Sequence, residues 1–154
     1  MINIDFLKNY PEVTPALAHI WRDVLGKIWM PEMGIEDIEF LYDQELQGDM
    51  PLTLIALYND IPVGSCTVQL KDEIRPDLSP WIGDLVVDAR YQRQGIGRKL
   101  MDAAVLKAKD LGFEKLYLFA FDSRIASYYE HLGWMKIGDD QFKSHPVTVM
   151  ELVL

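Results

Sequence analysis

The run Gln92-Arg93-Gln94-Gly95-Ile96-Gly97-Arg98-Lys99 constrains this chain more than any other, because it stands where a strand pattern gives way to a helix pattern. Upstream, Trp81-Ile82-Gly83-Asp84-Leu85-Val86-Val87 is short, apolar and β-branched; downstream, Ile96, Leu100, Met101, Ala104, Val105, Ala108 and Leu111 recur at helical spacing. The two glycines therefore fall in the first turn of a helix. There the backbone N–H groups have no intrahelical acceptor, the helix dipole adds partial positive charge, and missing side chains let a ligand approach. Arg93, Arg98 and Lys99 bring full charges to the same turn. The junction suits an anion, and a phosphate or pyrophosphate is its natural occupant.

The spacing narrows the choice of phosphate ligand. A nucleotide-binding P-loop needs Gly, four residues and then Gly-Lys-Ser/Thr, whereas here one residue separates the glycines and Arg98 follows. A dinucleotide fingerprint needs Gly or Ala where Leu100 stands, and belongs in the first strand–helix unit of its domain rather than beyond mid-chain. The bland alternative is a glycine-rich turn that merely opens a helix. What the run does fit is Gln/Arg-x-x-Gly-x-Gly/Ala, through Gln92, Gly95 and Gly97, and in this it resembles the acyl-CoA pyrophosphate loop of the GNAT superfamily of N-acyltransferases.

The surroundings strengthen the resemblance. Val87-Asp88-Ala89-Arg90-Tyr91-Gln92 looks like the superfamily's strand exit, Gly112 stands where a left-handed helix cap belongs, and Lys115 to Phe121 reads as a second strand. Asp122-Ser123-Arg124-Ile125-Ala126-Ser127-Tyr128-Tyr129-Glu130-His131-Leu132-Gly133-Trp134 is then similar to the superfamily's Asn-x-x-Ala-x-x-x-Tyr-Glu-x-x-Gly-Phe segment. The match spans Trp81 to Trp134, with three departures: Asp122 for asparagine, Ile125 for alanine and Trp134 for phenylalanine. Only the first touches chemistry, since an ionised Asp accepts a hydrogen bond but cannot donate one.

The 154 residues fit one domain, expected over 1–154, and are enough to bury a substantial core. No apolar run approaches the roughly 20 residues that span a bilayer, and Met1-Ile2-Asn3-Ile4-Asp5 does not open a signal-like segment, so cytoplasm is the default expectation and no membrane partner is expected. Cys66, the single cysteine, lies in a strand-like stretch and reads as a packed thiol rather than a nucleophile. Charge is uneven: through Pro80 there are 5 Lys+Arg and 14 Asp+Glu, from Trp81 onward 10 of each, so the formal net charge of −9 lies wholly in the first half. With no basic stripe, nucleic acid is disfavoured as a partner.

Elsewhere, a short strand is expected at Ile2 to Phe6. Periodicity predicts helices from Thr14 to Leu25, with Thr14-Pro15 as cap and first position, and from Ile35 to Leu46 on Ile35, Ile38, Leu41, Tyr42 and Glu45. Leu52 to Tyr58 and Pro62 to Leu70 read as strands joined by a tight turn at Asn59-Asp60, Asp72 to Pro80 as a loop, and Trp134 to Ile137 and Val147 to Leu152 as two last strands around a polar connection. The pattern is α/β. The resemblance implies a single-domain GNAT fold, its central mixed, mostly antiparallel sheet splayed between the fourth and fifth strands and flanked by helices.

The resemblance also implies the chemistry. An acetyl group would pass from acetyl-CoA, the acyl donor, to a primary amine of a small molecule or a protein N-terminus by direct attack, aided by alignment and acid–base residues. Cofactor contacts fall on Gln92, Arg93, Gln94, Gly95, Ile96, Gly97, Arg98 and Lys99 for the pyrophosphate, and on the main chain of Leu85, Val86 and Val87 and on Asp122 for the pantetheine arm. Tyr129, four residues before Gly133, is the expected general acid, with Tyr128 as fallback, and Asp84 the expected base. Asp72, Glu73 and Asp77 could line the acceptor entrance, though each also reads as an ordinary loop charge. His131 is expected to be exposed. The acidic first half suits a cationic acceptor, although for any single carboxylate a solvated helix face that raises solubility is the readier account. His19, His131, His145 and Cys66 do not approach metal-ligand spacing, and the reaction needs no metal. A homodimer is admitted, the oligomeric state being open. The competing class is a GNAT-like module that binds acyl-CoA without turnover, which Asp122 would favour; nucleotide binding by the same loop is weaker still.

Overall fold

Among the described residues, seven strands form one sheet in the order β1-β2-β3-β4-β5-β7-β6. They are β1 (Ile2–Phe6), β2 (Leu52–Tyr58), β3 (Ile61–Gln69), β4 (Trp81–Val87), β5 (Lys115–Ala120), β6 (Met135–Phe142) and β7 (His145–Val153). Pairs β1–β2, β2–β3, β5–β7 and β6–β7 are antiparallel. Strands β4 and β5 are parallel and share one register point, Trp81 opposite Tyr117, which matches the open centre expected of the sheet. The computed structural model describes residues 1–46 and 50–154. Their contacts group into two compact units, Met1–Val68 with Asp84–Ala104 and Gln69–Gly83 with Val105–Leu154.

In the first unit, helix α1 (Thr14–Trp21) continues through a π turn (Arg22–Gly26) into a last helical turn, α2 (Lys27–Trp29). Thr14 is already helical and Val13 precedes it as the cap, because the turn Pro11–Val13 leads the chain in; the expected cap is one residue late. Helix α3 (Ile35–Gln44) starts at Gly34, whose N–H donates to the Asp37 carboxylate at 3.0 Å. It buries Ile38 and Tyr42 but leaves Leu41 47% exposed, and it ends two residues before the predicted boundary, so Glu45 and Leu46 form a turn. The β2–β3 turn has positive φ at both Asn59 and Asp60, 48° and 70°, as a two-residue hairpin of the twist-matched kind requires. Leu54, Ile55, Leu57, Val63 and Cys66 are buried, and the Cys66 thiol meets Leu100 O of α4 (Ile96–Asp110).

The second unit is built on aromatic rings. Trp81 is fully buried, its ring centroid 5.9 Å from Tyr117 and its indole N–H donated to Leu78 O. Phe119 stacks on Phe142 at 5.0 Å. Helix α4 ends with Gly112 N–H bonded to Lys109 O and Phe113 N–H to Ala108 O, with Gly112 at φ 90°, the paired-bond ending that the left-handed cap predicted. Strands β6 and β7 are longer than expected. Lys143 and Ser144, at φ 47° and 71°, close them in two residues, so the polar stretch taken as a connection is hairpin with one face in water. No helix of the described residues is long and apolar enough to cross a membrane.

Candidate functional site

The strand exit folds back on itself before α4 begins. Asp88 accepts the Arg90 N–H at 3.0 Å and opens a short turn at Ala89–Tyr91, and the Gln92 amide donates to Val87 O at 2.9 Å. Gln92 is thus a strut between loop and strand. Arg93 and Gly95 both take left-handed backbone, φ 65° and 78°, and Lys99 N–H closes the first helical turn on Gly95 O. The N–H groups of Gly95, Ile96, Gly97 and Arg98 then have no acceptor within the helix. A Cβ built on Gly95 would meet nothing within 4 Å, and one on Gly97 only Val87 Cγ2 at 3.7 Å, so the space over both glycines is open. That opening and the donors beneath it fit a diphosphate.

The side chains around this turn divide by function. Ile96 is 1% exposed and anchors the helix in the core, so it offers only its N–H; Val86 is buried likewise and presents only main chain. Arg93, Gln94, Arg98 and Lys99 are exposed. Arg98 approaches Asp102 at 3.9 Å, but both are solvated and the pair is weak. Asp84, Leu85, Val86, Val87 and residues 92–99 therefore lie in one unit.

Asp84 departs from its strand. Its φ is 54° in the middle of β4, and its carboxylate Oδ1 accepts the Trp21 indole N–H at 3.0 Å. Asp tolerates left-handed backbone better than most residues, which is why a strand can turn here without glycine. Cys66 is fully buried with its thiol toward Leu100 O, and burial pushes the thiol up, as a packed cysteine should behave.

Sequence periodicity places Glu45 on the apolar face of the helix predicted from Ile35 to Leu46 and gives no sign of the polar cluster it joins. Its Oε2 meets the hydroxyls of Thr53 and, at 3.1 Å, Thr67, and these two hydroxyls lie 2.9 Å from each other. Three mutual contacts need three protons, while two hydroxyls hold two. A protonated Glu45 completes the ring. Burial, opposed by the Thr53 hydrogen bond and reinforced by the Asp84 charge, raises this carboxyl to about 7. Tyr42, one helical turn earlier, shares a proton with Ser65 at 2.8 Å. The available signal was hydroxyls at alternate positions of apolar strands, with Thr53 directly opposite Thr67.

A pH dependence follows from Glu45. Its folded carboxyl keeps a proton up to about 7 while the unfolded one loses it near 4.5, so the folded state holds more protons between those values and stability falls as pH rises through them. The contribution is roughly 3 kcal/mol, complete at low pH and lost above neutrality. Urea unfolding at pH 5 and pH 8 should show Glu45→Gln losing about that much of the wild-type difference; an unchanged difference would assign the titration elsewhere.

In the second unit, Asp122 caps α5 (Ser123–His131), accepting Ile125 N–H at 2.9 Å. This capping role needs only an acceptor, which Asp and Asn supply alike. Tyr129 is 8% exposed and packs 6.1 Å from the Trp134 ring, whereas Tyr128 is 46% exposed. His131 is exposed and its Nδ1 meets Ser127 O. Of the loop carboxylates, Asp77 holds Arg75 through two bonds, which keep it below the usual carboxylate range, Asp72 accepts from Gln69, and Glu73 approaches Lys143 at 4.0 Å.

Sheet order, parallel centre and the glycine turn opening α4 define the fold class as that of the GNAT acyltransferases. The chain belongs to the acetyltransferase (GNAT) family, whose model matches residues 14–134. Among curated relatives, it is 29% identical to a spermine/spermidine N(1)-acetyltransferase of Bacillus subtilis, covering 98% of this chain and 99% of the relative. Among solved structures it superposes on an aminoglycoside 6'-N-acetyltransferase complexed with coenzyme A at TM-score 0.77 and 17% identity, over 99% of this chain and 96% of that one. The ribosomal-protein-S18-alanine N-acetyltransferase of Escherichia coli superposes at TM-score 0.73 and 22% identity, over 99% and 94%.

Proposed function

We propose that residues 1–154 form a single N-acetyltransferase domain that moves an acetyl group from acetyl-CoA to a primary amine, and that the acceptor is cationic. The observation that carries this is the open turn over Gly95 and Gly97, with four main-chain donors beneath it, in a chain of the GNAT family. The N–H groups of Gly95 to Arg98 hold the diphosphate, with Arg93 and Lys99 as flanking charges and Gln92 and Gln94 shaping the loop. By the family resemblance, main-chain groups of Leu85, Val86 and Val87 hold the pantetheine arm, and Asp122 is a further candidate contact for it. Acetyl-CoA supplies an acyl group already activated as a thioester. Asp84 removes one ammonium proton, the neutral amine nitrogen bonds to the acyl carbon as the C–S bond breaks, the Tyr129 phenol protonates the departing sulfur, and the second proton shed by the acylated nitrogen restores the phenol. The spermine/spermidine relative and the acidic first half both support a polyamine-like acceptor.

Thiol release from acetyl-CoA across a panel of polyamines, aminoglycosides and peptide N-termini tests the reading. Amine-dependent release is expected, highest with the polyamines. CoA binding with no release for any amine would instead make this a non-catalytic acyl-CoA-binding module.

A further inference from the structure

Trp21 and Asp84 stand 63 residues apart in the chain and meet through one hydrogen bond of 3.0 Å. The backbone around each residue departs from regular structure. Immediately after Trp21 the helix widens into the π turn Arg22–Gly26, a rare feature that is frequent at functional sites. Gly26 closes that turn, and a Cβ there would lie 2.8 Å from Trp21 Cζ3 and 3.2 Å from Cε3, so the indole rests against the main chain where only glycine leaves room. At the other end, Asp84 holds its left-handed φ inside a strand, a strained state for a non-glycine residue that persists when its surroundings over-determine it. The indole is 5% exposed, so its N–H is shielded from competing water.

We propose that Trp21 is a positioning residue for acetyl transfer: its N–H, set by Gly26 and the π turn, fixes the carboxylate of Asp84 in the orientation that receives the acceptor's proton. The inference rests on Asp84 acting as the base. A carboxylate turns about its side-chain torsions unless one oxygen is held, and proton transfer is sensitive to that orientation. Tyr42, Glu45 and Cys66 are titratable groups whose ionisation the Asp84 charge opposes. The indole supplies a donor on this side.

A double-mutant cycle on the full chain tests this, with kcat/KM for the best amine, CoA affinity and thermal midpoint measured for Trp21→Phe, Asp84→Asn and both together. Phenylalanine keeps most of the buried ring and removes the N–H. Trp21→Phe is expected to lower kcat/KM about tenfold in the wild type and less than about twofold when Asp84 is already Asn, with CoA affinity unchanged. An equal loss in both backgrounds would make Trp21 a packing residue and overturn the proposal. Wild-type kcat/KM in Asp84→Asn would remove the base reading and the proposal with it, an outcome distinct from an impaired Asp84→Asn on which the Trp21 effect is additive. Should Trp21→Phe fail to fold, Gly26→Ala displaces the indole instead and enters the same cycle with the same two outcomes.

Discussion

Gly97→Glu is expected to abolish CoA binding, a loss of at least about a hundredfold, or roughly 3 kcal/mol. The added carboxylate stands over the first turn of α4, where four main-chain N–H groups and the helix dipole favour an anion, and it occupies that place itself while repelling a diphosphate. Gly97→Ala separates charge from bulk. Its Cβ meets only Val87 Cγ2 at 3.7 Å, an ordinary contact, and alanine in a helix is about 1 kcal/mol better than glycine. Alanine should therefore raise the thermal midpoint while loosening CoA much less than glutamate does. Calorimetric titration of CoA into both variants checks this, and unchanged affinity in Gly97→Glu would contradict the assignment of the loop.

Tyr129→Phe carries the second large effect. A phenol that protonates a departing thiolate contributes about a hundredfold or more to turnover, so kcat should fall by that order while CoA affinity changes by less than about threefold. The ring stays in place against Trp134, 6.1 Å between centroids, so little packing is lost. Tyr128→Phe is the control: that ring is 46% exposed, and its hydroxyl should matter by less than about twofold. Parallel loss of turnover and CoA affinity in Tyr129→Phe would instead make the residue part of the packing or of the cofactor contacts.

The elements that could be read from sequence are those whose signals are local. Asn59-Asp60 demands a tight hairpin because both residues accept positive φ, and Gly112 ends α4 because the last carbonyls of the helix need a left-handed residue after them to be capped. Of the residues that helix periodicity groups on one face, Ile96, Leu100, Met101, Ala104 and Ala108 are buried, Val105 is half-buried, and Leu111, at the helix end, is 46% exposed. Where the reading slipped, a neighbour had changed the outcome. Leu41 obeys the helical period yet faces outward, since the short α3 covers the sheet through Ile38 and Tyr42. Glu45 fits the same period, but it stands in the turn after α3 and reaches the hydroxyls of Thr53 and Thr67. Nothing within a few residues of it announces that.

Sequence by itself determined the glycine turn before α4, the caps and hairpins, and the placement of Tyr129 four residues before Gly133, because main-chain conformation and helical spacing are decided by residues close along the chain. Only the tertiary structure decided that Asp84 takes a left-handed φ within β4 and accepts the Trp21 indole N–H, and that the Glu45 carboxyl meets the hydroxyls of two threonines. Those contacts bridge α1 to β4 and the end of α3 to β2 and β3, so they depend on sheet register and on the water excluded around them. Neither quantity is written at any one position of the chain.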